Sequence, residues 1–285
     1  MKRVIQQNRI TLFLIIAGLS SCVSLQKVND FSSTSSKGIK EFEEINYSFK
    51  QHCIYECQFD SIRKFVINRE TGCHCDNFAK ADNVTLLIYN AIKGYFDGLT
   101  NLSNKDLTNY NFDALKKSLT EGTFGNIKID KNHVDAYSAL SKILLKASTD
   151  IYRKKKLIEY IEDANAPIQI LLSEFQFIIQ NNLRGELDFK REKLYTYYKN
   201  MINNNTLTDY EKGMATTDYY QQLLEVTTKQ NQIDAFAKSL KSMAEGHQKL
   251  YENRNKMQAK EVKELLTGYA SDIQDIISEF NKLKK

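Results

Sequence analysis

The sequence has little of what a β-sheet protein needs. It contains no tryptophan, a single proline and only 11 glycines among 285 residues. Sheet proteins depend on frequent turns, and glycine and proline are the residues that most strongly favour them. Charged residues make up 26% of the chain and are interspersed with apolar residues at helical spacing. The composition therefore predicts an all-α protein.

Sequence motifs of the common enzyme classes are also missing. The chain has no Gly-x-Ser-x-Gly elbow, no phosphate-binding Gly-x₄-Gly-Lys-Ser/Thr loop, no Gly-x-Gly-x-x-Gly and no His-Glu-x-x-His. A di-iron site in a helical bundle needs two Glu-x-x-His pairs, and the nearest match is a single Asp130-x-x-His133. We interpret Asp130 as a helix N-cap. These absences favour a protein that is not an enzyme and that has no cofactor or metal site.

The remaining titratable residues have structural interpretations. His247 lies on an apolar helical seam, where a hydrogen-bonded core histidine is expected. Glu159, Glu162 and Asp163 cluster near a helix end. They are expected to form a solvated acidic patch, because acid–base catalysis would need a positioned partner.

The first 22 residues follow the pattern of an export signal. Met1 to Arg9 carries three basic residues and no acid, and Ile10 to Leu19 is an apolar run with one interruption. This run of ten residues is too short to cross a bilayer, which needs roughly 20. Leu19-Ser20-Ser21-Cys22 resembles the lipobox of bacterial lipoproteins, which has an aliphatic residue, two small residues and a cysteine. The resemblance implies that residues 1–21 are removed and that Cys22 is lipid-modified, with two or three acyl chains attaching it firmly to a membrane.

Residues 22–38 have the composition of a flexible tether. Ser32 to Ser36 consists entirely of serine and threonine, and Gly38 ends the segment. Val23 follows the cysteine, so the aspartate that retains some lipoproteins at an inner membrane is absent. Within the lipoprotein resemblance, this favours a cell-envelope location at the outer membrane if the cell has two.

The processed chain has almost no net charge. The formal charge of +5 falls to +2 when Lys2, Arg3 and Arg9 are removed with the signal. A nucleic-acid-binding domain is usually strongly basic, so the sequence gives no electrostatic case for that partner. The one dense basic run is Arg153 to Lys156. We interpret it as a solvated helix face, with a contact to acidic lipid or polymer as the alternative.

Residues 39–285 carry the pattern of long amphipathic helices. Apolar residues at alternating steps of three and four predict helices near 208–254 and 258–284, and Thr208 with Glu211 forms a capping box. The fold expected is an elongated multi-helix bundle with long antiparallel amphipathic helices. The other helices are expected near 39–69, 83–98, 111–121, 130–164 and 166–203, with Pro167 at the start of the last and an extended piece over 126–129. The C-terminal seam consists of Val262, Leu266, Tyr269, Ile273, Ile276, Phe280 and Leu283.

Four cysteines lie within 23 residues and predict a disulfide clasp over 53–75. Cys53 and Cys57 are one helical turn apart, and Cys73 and Cys75 face one side if that segment is extended. An antiparallel return then pairs Cys53 with Cys75 and Cys57 with Cys73, as suits an exported protein. The alternatives are a metal site and free or redox-active thiols. The spacings differ from the usual Cys-x-x-Cys of both zinc and redox sites.

The function expected is non-enzymatic, in which the membrane-anchored bundle binds another envelope or surface component. One alternative is a hydrolase of envelope polymer with an unrecognised motif, and another is a toxin-like or immunity-type helical protein. Tyrosines on two helices are candidates to line a binding groove, although helical spacing favours core packing for them. These are Tyr195, Tyr197, Tyr198, Tyr219 and Tyr220.

Overall fold

The chain folds into an all-α bundle of long helices with one small β-hairpin. The computed structural model describes residues 25–67, 72–104, 117–147, 153–204 and 206–284. The hairpin strands are antiparallel, with Gly122 opposite Ile129. In chain order the elements are α1 (25–44), α2 (Phe49–Arg63), α3 (Asp76–Ser103), β1 (Gly122–Phe124), β2 (Ile127–Ile129), α4 (Lys131–Ala147), α5 (Arg153–Phe177), a π-helical turn (Ile178–Leu183), α6 (Arg184–Asn203), α7 (Asp209–Glu252) and α8 (Lys260–Lys282).

The expectation of a flexible tether over 22–38 is wrong from residue 25 onward. Residues 25–44 form α1, and Val28 and Phe31 are completely buried. The serines that suggested a linker are part of the packed face instead, since Ser32 is also completely buried and accepts a hydrogen bond from the Thr100 hydroxyl. Small side chains let α1 approach its neighbours closely, so a serine-rich composition is compatible with an ordered helix here.

The helix expected over 39–69 is two helices. Asn46 has a positive φ of 48° in the turn between them. Ser48 caps α2 by accepting from the Gln51 amide, and Asp82 on α3 accepts from two more amides at the same helix start. Side-chain acceptors at this start favour a new helix over continuation of α1. Most of the short helix expected near 111–121 lies outside the described residues, and 117–121 are not helical.

Pro167 lies inside a helix rather than at the start of one. α5, the π-helical turn and α6 form one continuous helix over 153–203. Proline removes one intrahelical hydrogen bond. The neighbouring Ala164 and Ile168 are completely buried, so tertiary packing supports the helix on both sides of the proline. The helix expected over 130–164 corresponds to α4 and the first part of α5. Residues 148–152, between these two helices, lie outside the described residues.

α7 and α8 pack together as an antiparallel hairpin at the C-terminus. The capping box at Thr208 and Glu211 is confirmed, with both reciprocal hydrogen bonds present. The α8 seam is confirmed in part, since four of its seven residues are buried and the other three are only partly so. The buried four are Val262, Leu266, Ile273 and Phe280, the partly buried three are Tyr269, Ile276 and Leu283, and Ile277 is buried beside them. The buried seam residues of α7 are Ile233, Phe236, Leu240, Met243, His247 and Leu250.

The long helices run between two ends of the bundle. At what we call the N-terminal end, the starts of α1 and α5 lie beside the ends of α3 and α7, where Arg254 forms an ion pair with Glu162 at 2.8 Å. At the opposite end, α6 packs against the first half of α7, where Gln222 donates to the Tyr198 hydroxyl. Gln222 in α7 and Arg254, just after the end of α7, are 32 residues apart. At 1.5 Å per residue, the two ends are separated by about 50 Å.

Candidate binding groove and polar clusters

The two disulfides hold the start of α3 against α2. The pairs are Cys53–Cys75 and Cys57–Cys73, with Cα–Cα distances of 5.9 and 5.8 Å. This is the pairing expected from the spacing, although Cys75, with φ −105° and ψ 18°, is not extended as the prediction assumed. Residues 64–67 follow the last turn of α2, and Cys57 of that helix is covalently joined to the segment before α3.

A groove of about 730 Å³ lies between α2 and α6 beyond these disulfides. Its wall on one side is the last turn of α2 with residue Phe65, and on the other side the second half of α6. The rim carries an ion pair between Asp60 and Arg63 at 3.4 Å. The large apolar and aromatic side chains that line the groove are Phe59, Phe65, Phe189, Tyr197, Met201 and Leu207.

Large apolar side chains are unusually exposed around this groove. The tip after α2 presents Phe65 and Ile67 with 85% and 99% of their surface exposed, and Phe189 on α6 is 52% exposed. Single exposed apolar residues are common in proteins, but a concentration of them marks an interaction surface. Among the described residues, thirteen large apolar side chains are strongly exposed, and ten of them belong to this end of the molecule, which we call the groove end. They are Ile62, Phe65, Val66, Ile67, Phe189, Tyr195, Tyr210, Met214, Tyr220 and Leu224.

A row of aromatic rings crosses the groove end from α2 through α6 to α7. Phe59 packs edge-on against Tyr197, whose ring contacts Tyr198, and Tyr198 contacts Tyr219 on α7. Tyr198 is buried, whereas Tyr197 lines the groove and Tyr220 is exposed. The two interpretations of these tyrosines therefore each hold for part of the row, core packing for Tyr198 and groove lining for Tyr197.

Ionisable groups lie under the groove, between α2 and α6. Lys193 pairs with Glu56, and Lys190 lies 4.2 Å from the centre of the Tyr55 ring. Burial lowers the pKa of the Lys190 ammonium, with Glu225 and Glu56 acting in the opposite direction. Burial likewise raises the pKa of the Tyr55 hydroxyl. Glu225 and Glu56 thus lie beside the ammonium groups of Lys190 and Lys193, and the groove presents an apolar floor with charges at its margin.

His52, next to the clasp, joins α2 to α6. Its Nδ1 is 2.8 Å from the Tyr47 hydroxyl and its Nε2 is 2.9 Å from a Glu186 carboxylate oxygen. Tyr47, His52 and Glu186 thus supply a hydroxyl, an imidazole and a carboxylate, which are the three chemical groups of a catalytic triad. Burial raises the pKa of Tyr47, however, which is the opposite of what a nucleophile needs. We therefore assign this cluster to the packing of α2 on α6.

A second cluster joins the start of α4 to α5. Asp130 accepts from the His133 amide at 3.2 Å, as expected of an N-cap, and His133 Nε2 lies 3.1 Å from a Glu174 carboxylate oxygen. Burial, with help from the nearby Asp130, raises the pKa of Glu174 to about 7. Sequence reasoning missed Glu174, because it is 41 positions from His133 and only the α4–α5 contact brings them together. The cluster can exchange a proton near neutral pH, but it does not line the groove.

His247 and the three acids near the start of α5 have structural roles. His247 is completely buried with its Nε2 2.5 Å from the Tyr95 hydroxyl, and burial lowers its pKa to about 3. This confirms a hydrogen-bonded core histidine. Glu159, Glu162 and Asp163 are exposed, as expected of a solvated patch, and Glu162 binds Arg254.

Comparison with known proteins does not assign this arrangement. No protein-family model, curated protein or solved structure matches the chain. Within the described ranges, no three His, Cys, Asp or Glu side chains are grouped so that they could hold a metal ion. None of the helices in those ranges is both long and apolar enough to cross a membrane. Cys22 and the residues of the lipobox lie outside the described residues, so lipidation stays a prediction.

Proposed function

We propose that this protein is a lipid-anchored lipoprotein of the cell envelope whose bundle binds an apolar segment of another envelope protein. Cys22 carries the anchor in this proposal, on the strength of the lipobox at Leu19 to Cys22. The groove end provides the binding surface. In this proposal the anchor and the groove end are at opposite ends of the bundle, because Leu25, three residues after Cys22, lies at the N-terminal end.

The observation that carries the binding proposal is the concentration of exposed apolar side chains around an open groove. A volume of about 730 Å³ is in the range of specific ligand sites, roughly 300–1,000 Å³. The apolar surface continues past the groove onto Phe65 to Ile67, which favours a peptide segment over a small enclosed ligand. An amphipathic helix that places aromatic or aliphatic anchors between α2 and α6 fits this shape.

A charged rim accompanies the apolar floor. Asp60, Arg63, Glu192 and Lys193 surround the groove and include both signs of charge. Mixed rim charges contribute orientation and association rate more than affinity. We expect the partner segment to carry both acidic and basic residues beside its apolar anchors.

Replacement of Cys22 by Ser tests the anchor. The variant is expected to lose labelling by radioactive palmitate and to leave the membrane fraction, because the thiol that accepts the lipid is gone. Unchanged labelling and fractionation would contradict the lipoprotein assignment. Retained expression and intact disulfides serve as the control for folding.

Two phenylalanines on one continuous helix provide a matched test of the groove. Phe189 and Phe177 are both 52% exposed, but only Phe189 lines the groove. Envelope proteins captured by the wild-type protein in detergent extracts and identified by mass spectrometry should be retained by Phe177→Ser. They should be lost by Phe189→Ser, since a central anchor contributes about 2 kcal/mol or more, or roughly 30-fold in affinity. Equal capture by the two variants would remove the groove from the proposal.

The second candidate function is a hydrolase, and the observation that favours it is the carboxyl of Glu174 with a pKa near neutrality beside His133. Replacement of Glu174 by Gln distinguishes the candidates. It leaves partner capture unchanged if binding is the function, and it abolishes any envelope-polymer hydrolysis if Glu174 is the acid–base residue.

A further inference from the structure

The first half of α7 has an outer face that the rest of the described chain leaves uncovered. Tyr210, Met214 and Leu224 on this face are large apolar residues with between 54% and 77% of their surface exposed. Together with Thr217 and Gln221, which are also exposed, they step by four and three residues in alternation, as in the seam of a coiled coil. We call these five residues the α7 stripe.

The same face of α7 is buried further along the helix. Residues 18 positions apart on an α-helix point in the same direction, because 18 residues make five turns. Ala235 therefore continues the face of Thr217, and it is buried. Gly246, about ten turns from Tyr210, also lies on this face, and a Cβ atom there would contact side chains of both α1 and α8. The α7 stripe is thus the uncovered continuation of the face that packs against α1 and α8.

Both of these helices stop where the stripe begins. Lys229 on α7 donates to the carbonyl of Ile45, just after the end of α1. Lys284, just after the end of α8, pairs with Glu41 of α1 at 3.0 Å, so α1 and α8 end near the same level. Leu224 lies little more than one turn further along α7. A helix docked on the stripe would therefore continue the layer that α1 and α8 form over α7.

An acidic edge runs along the stripe. Glu211, Asp218 and Glu225 recur every seven residues on one side of it, at the positions that form interhelical ion pairs in coiled coils. Glu225 lies close to Lys190 and Lys229, so its charge is partly compensated. The negative charge that faces a partner is therefore mainly that of Glu211 and Asp218, both of which are exposed.

The other charges near the start of α7 leave this edge acidic. The Glu211 carboxylate accepts hydrogen bonds from Thr208, which lower its pKa and keep it charged. Lys212 is partly buried and lies two positions from Tyr210, on the opposite side of the helix. A second copy of the chain fits the stripe poorly, because two antiparallel stripes would bring Asp218 of one copy against Asp218 of the other. A partner with basic residues is therefore favoured.

We propose that the α7 stripe binds a basic amphipathic helix of a partner protein. The stripe spans 15 residues, so the partner segment needs about four turns, or roughly 21 Å. Its apolar side covers Tyr210, Met214 and Leu224, and its Lys or Arg residues pair with Glu211 and Asp218. None of the stripe residues lines the groove, so this is a second binding surface, and the inference rests neither on the groove nor on the lipid anchor.

A synthetic peptide of three heptads tests the proposal. It carries leucine at positions a and d and lysine at e and g, which keep the free peptide from pairing with itself, and a second peptide carries glutamate in place of lysine. Each peptide is labelled with fluorescein and titrated with the mature disulfide-bonded chain carrying Cys22→Ser, and fluorescence anisotropy is measured. We expect the lysine peptide to bind about tenfold or more tightly than the glutamate peptide, and less tightly in high salt because exposed charges are then screened.

Matched variants locate the bound peptide. Leu224→Ser should weaken binding of the lysine peptide about tenfold or more, whereas Leu86→Ser, which removes an exposed leucine of α3, should leave it unchanged. Asp218→Lys should also weaken binding, because it places a like charge on the acidic edge. The same change on α8, Asp272→Lys, should have no effect.

Four outcomes would overturn the proposal. The lysine peptide would fail to bind, both peptides would bind equally, or Leu224→Ser and Leu86→Ser would bind alike. A dimer of the parent in sedimentation velocity that Leu224→Ser abolishes would show instead that a second copy covers the stripe. Phe189→Ser should bind the lysine peptide as the parent does, since Phe189 lines the groove. The groove and the stripe can therefore fail separately.

Discussion

Gly246 on α7 offers a test of whether α1 is a packed helix or a tether. A Cβ atom at this position would lie against the ring of Phe31 on α1, 2.8 Å from its Cζ, and 3.1 Å from Cγ of Tyr269 on α8. Phe31 is completely buried, so its ring has no open space to move into. Glycine inside a helix is less favourable than alanine by about 1 kcal/mol. Its presence here is explained by the close approach of three helices.

Replacement of Gly246 by Ala therefore sets two effects against each other. Helix propensity favours alanine by about 1 kcal/mol, whereas overpacking a filled core costs about 1–3 kcal/mol. We expect a net loss of up to about 2 kcal/mol in the free energy of unfolding. Gly213 on the same helix is the control, since a Cβ there meets nothing within 4 Å. Its replacement by Ala should raise stability by about 0.5–1 kcal/mol.

Urea unfolding of the disulfide-bonded protein, followed by circular dichroism, measures both free energies. The slope of the free energy of unfolding against urea concentration should be the same for both variants if each changes only stability. Equal stabilisation by the two substitutions would mean that Phe31 does not rest on α7. The packed α1 would then be wrong, and the tether interpretation would return for residues 25–38.

Two further predictions concern Glu174 and the clasp. Because the folded pKa of Glu174, about 7, lies above its ordinary 4.5, the folded state keeps a proton that the unfolded state releases. The stability contributed by this proton is complete below about pH 4.5 and is lost as the pH rises through 7. Between these pH values, the free energy of unfolding of the wild type should therefore fall by about 2–3 kcal/mol more than that of Glu174→Gln. Equal pH dependence of the two proteins would contradict the raised pKa. Joint replacement of Cys57 and Cys73 by Ser should lower stability by about 2–3 kcal/mol, and non-reducing mass spectrometry should still find Cys53 joined to Cys75. A link from Cys53 to any other cysteine in the wild type would show that the pairing is wrong.

The parts of the fold that were predictable from sequence are those determined by local spacing. The seam and capping box of α7 follow from residues three to seven positions apart. The pairing of the clasp follows from two short spacings, four positions between Cys53 and Cys57 and two between Cys73 and Cys75. α1 is not predictable from composition, because a serine-rich segment is also typical of a disordered linker. In the structure Ser32 and its neighbours are small enough to pack in the core. Pro167 was misplaced because the buried residues around it outweigh its local effect.

The candidate sites were less predictable, since they are assembled from distant parts of the chain. Individual tyrosines such as Tyr197 were identifiable, but the groove needs α2 and α6, which are separated by more than 100 residues. The proximity of Glu174 to His133 depends on the packing of α4 on α5.

The length of α7 has a consequence for reach. If Cys22 carries a lipid anchor as proposed, it is separated by three residues from Leu25, which is already helical, and three residues span at most about 11 Å. With the long helices along the membrane normal, the groove would then lie about 50–60 Å from the bilayer, because each helical residue rises 1.5 Å. A partner segment at that distance would meet the groove at a high effective concentration, whereas a segment lying on the lipid surface would not reach it. In this arrangement the length of the helices would set the distance between the membrane and the groove, and that distance would determine which partner segments can bind.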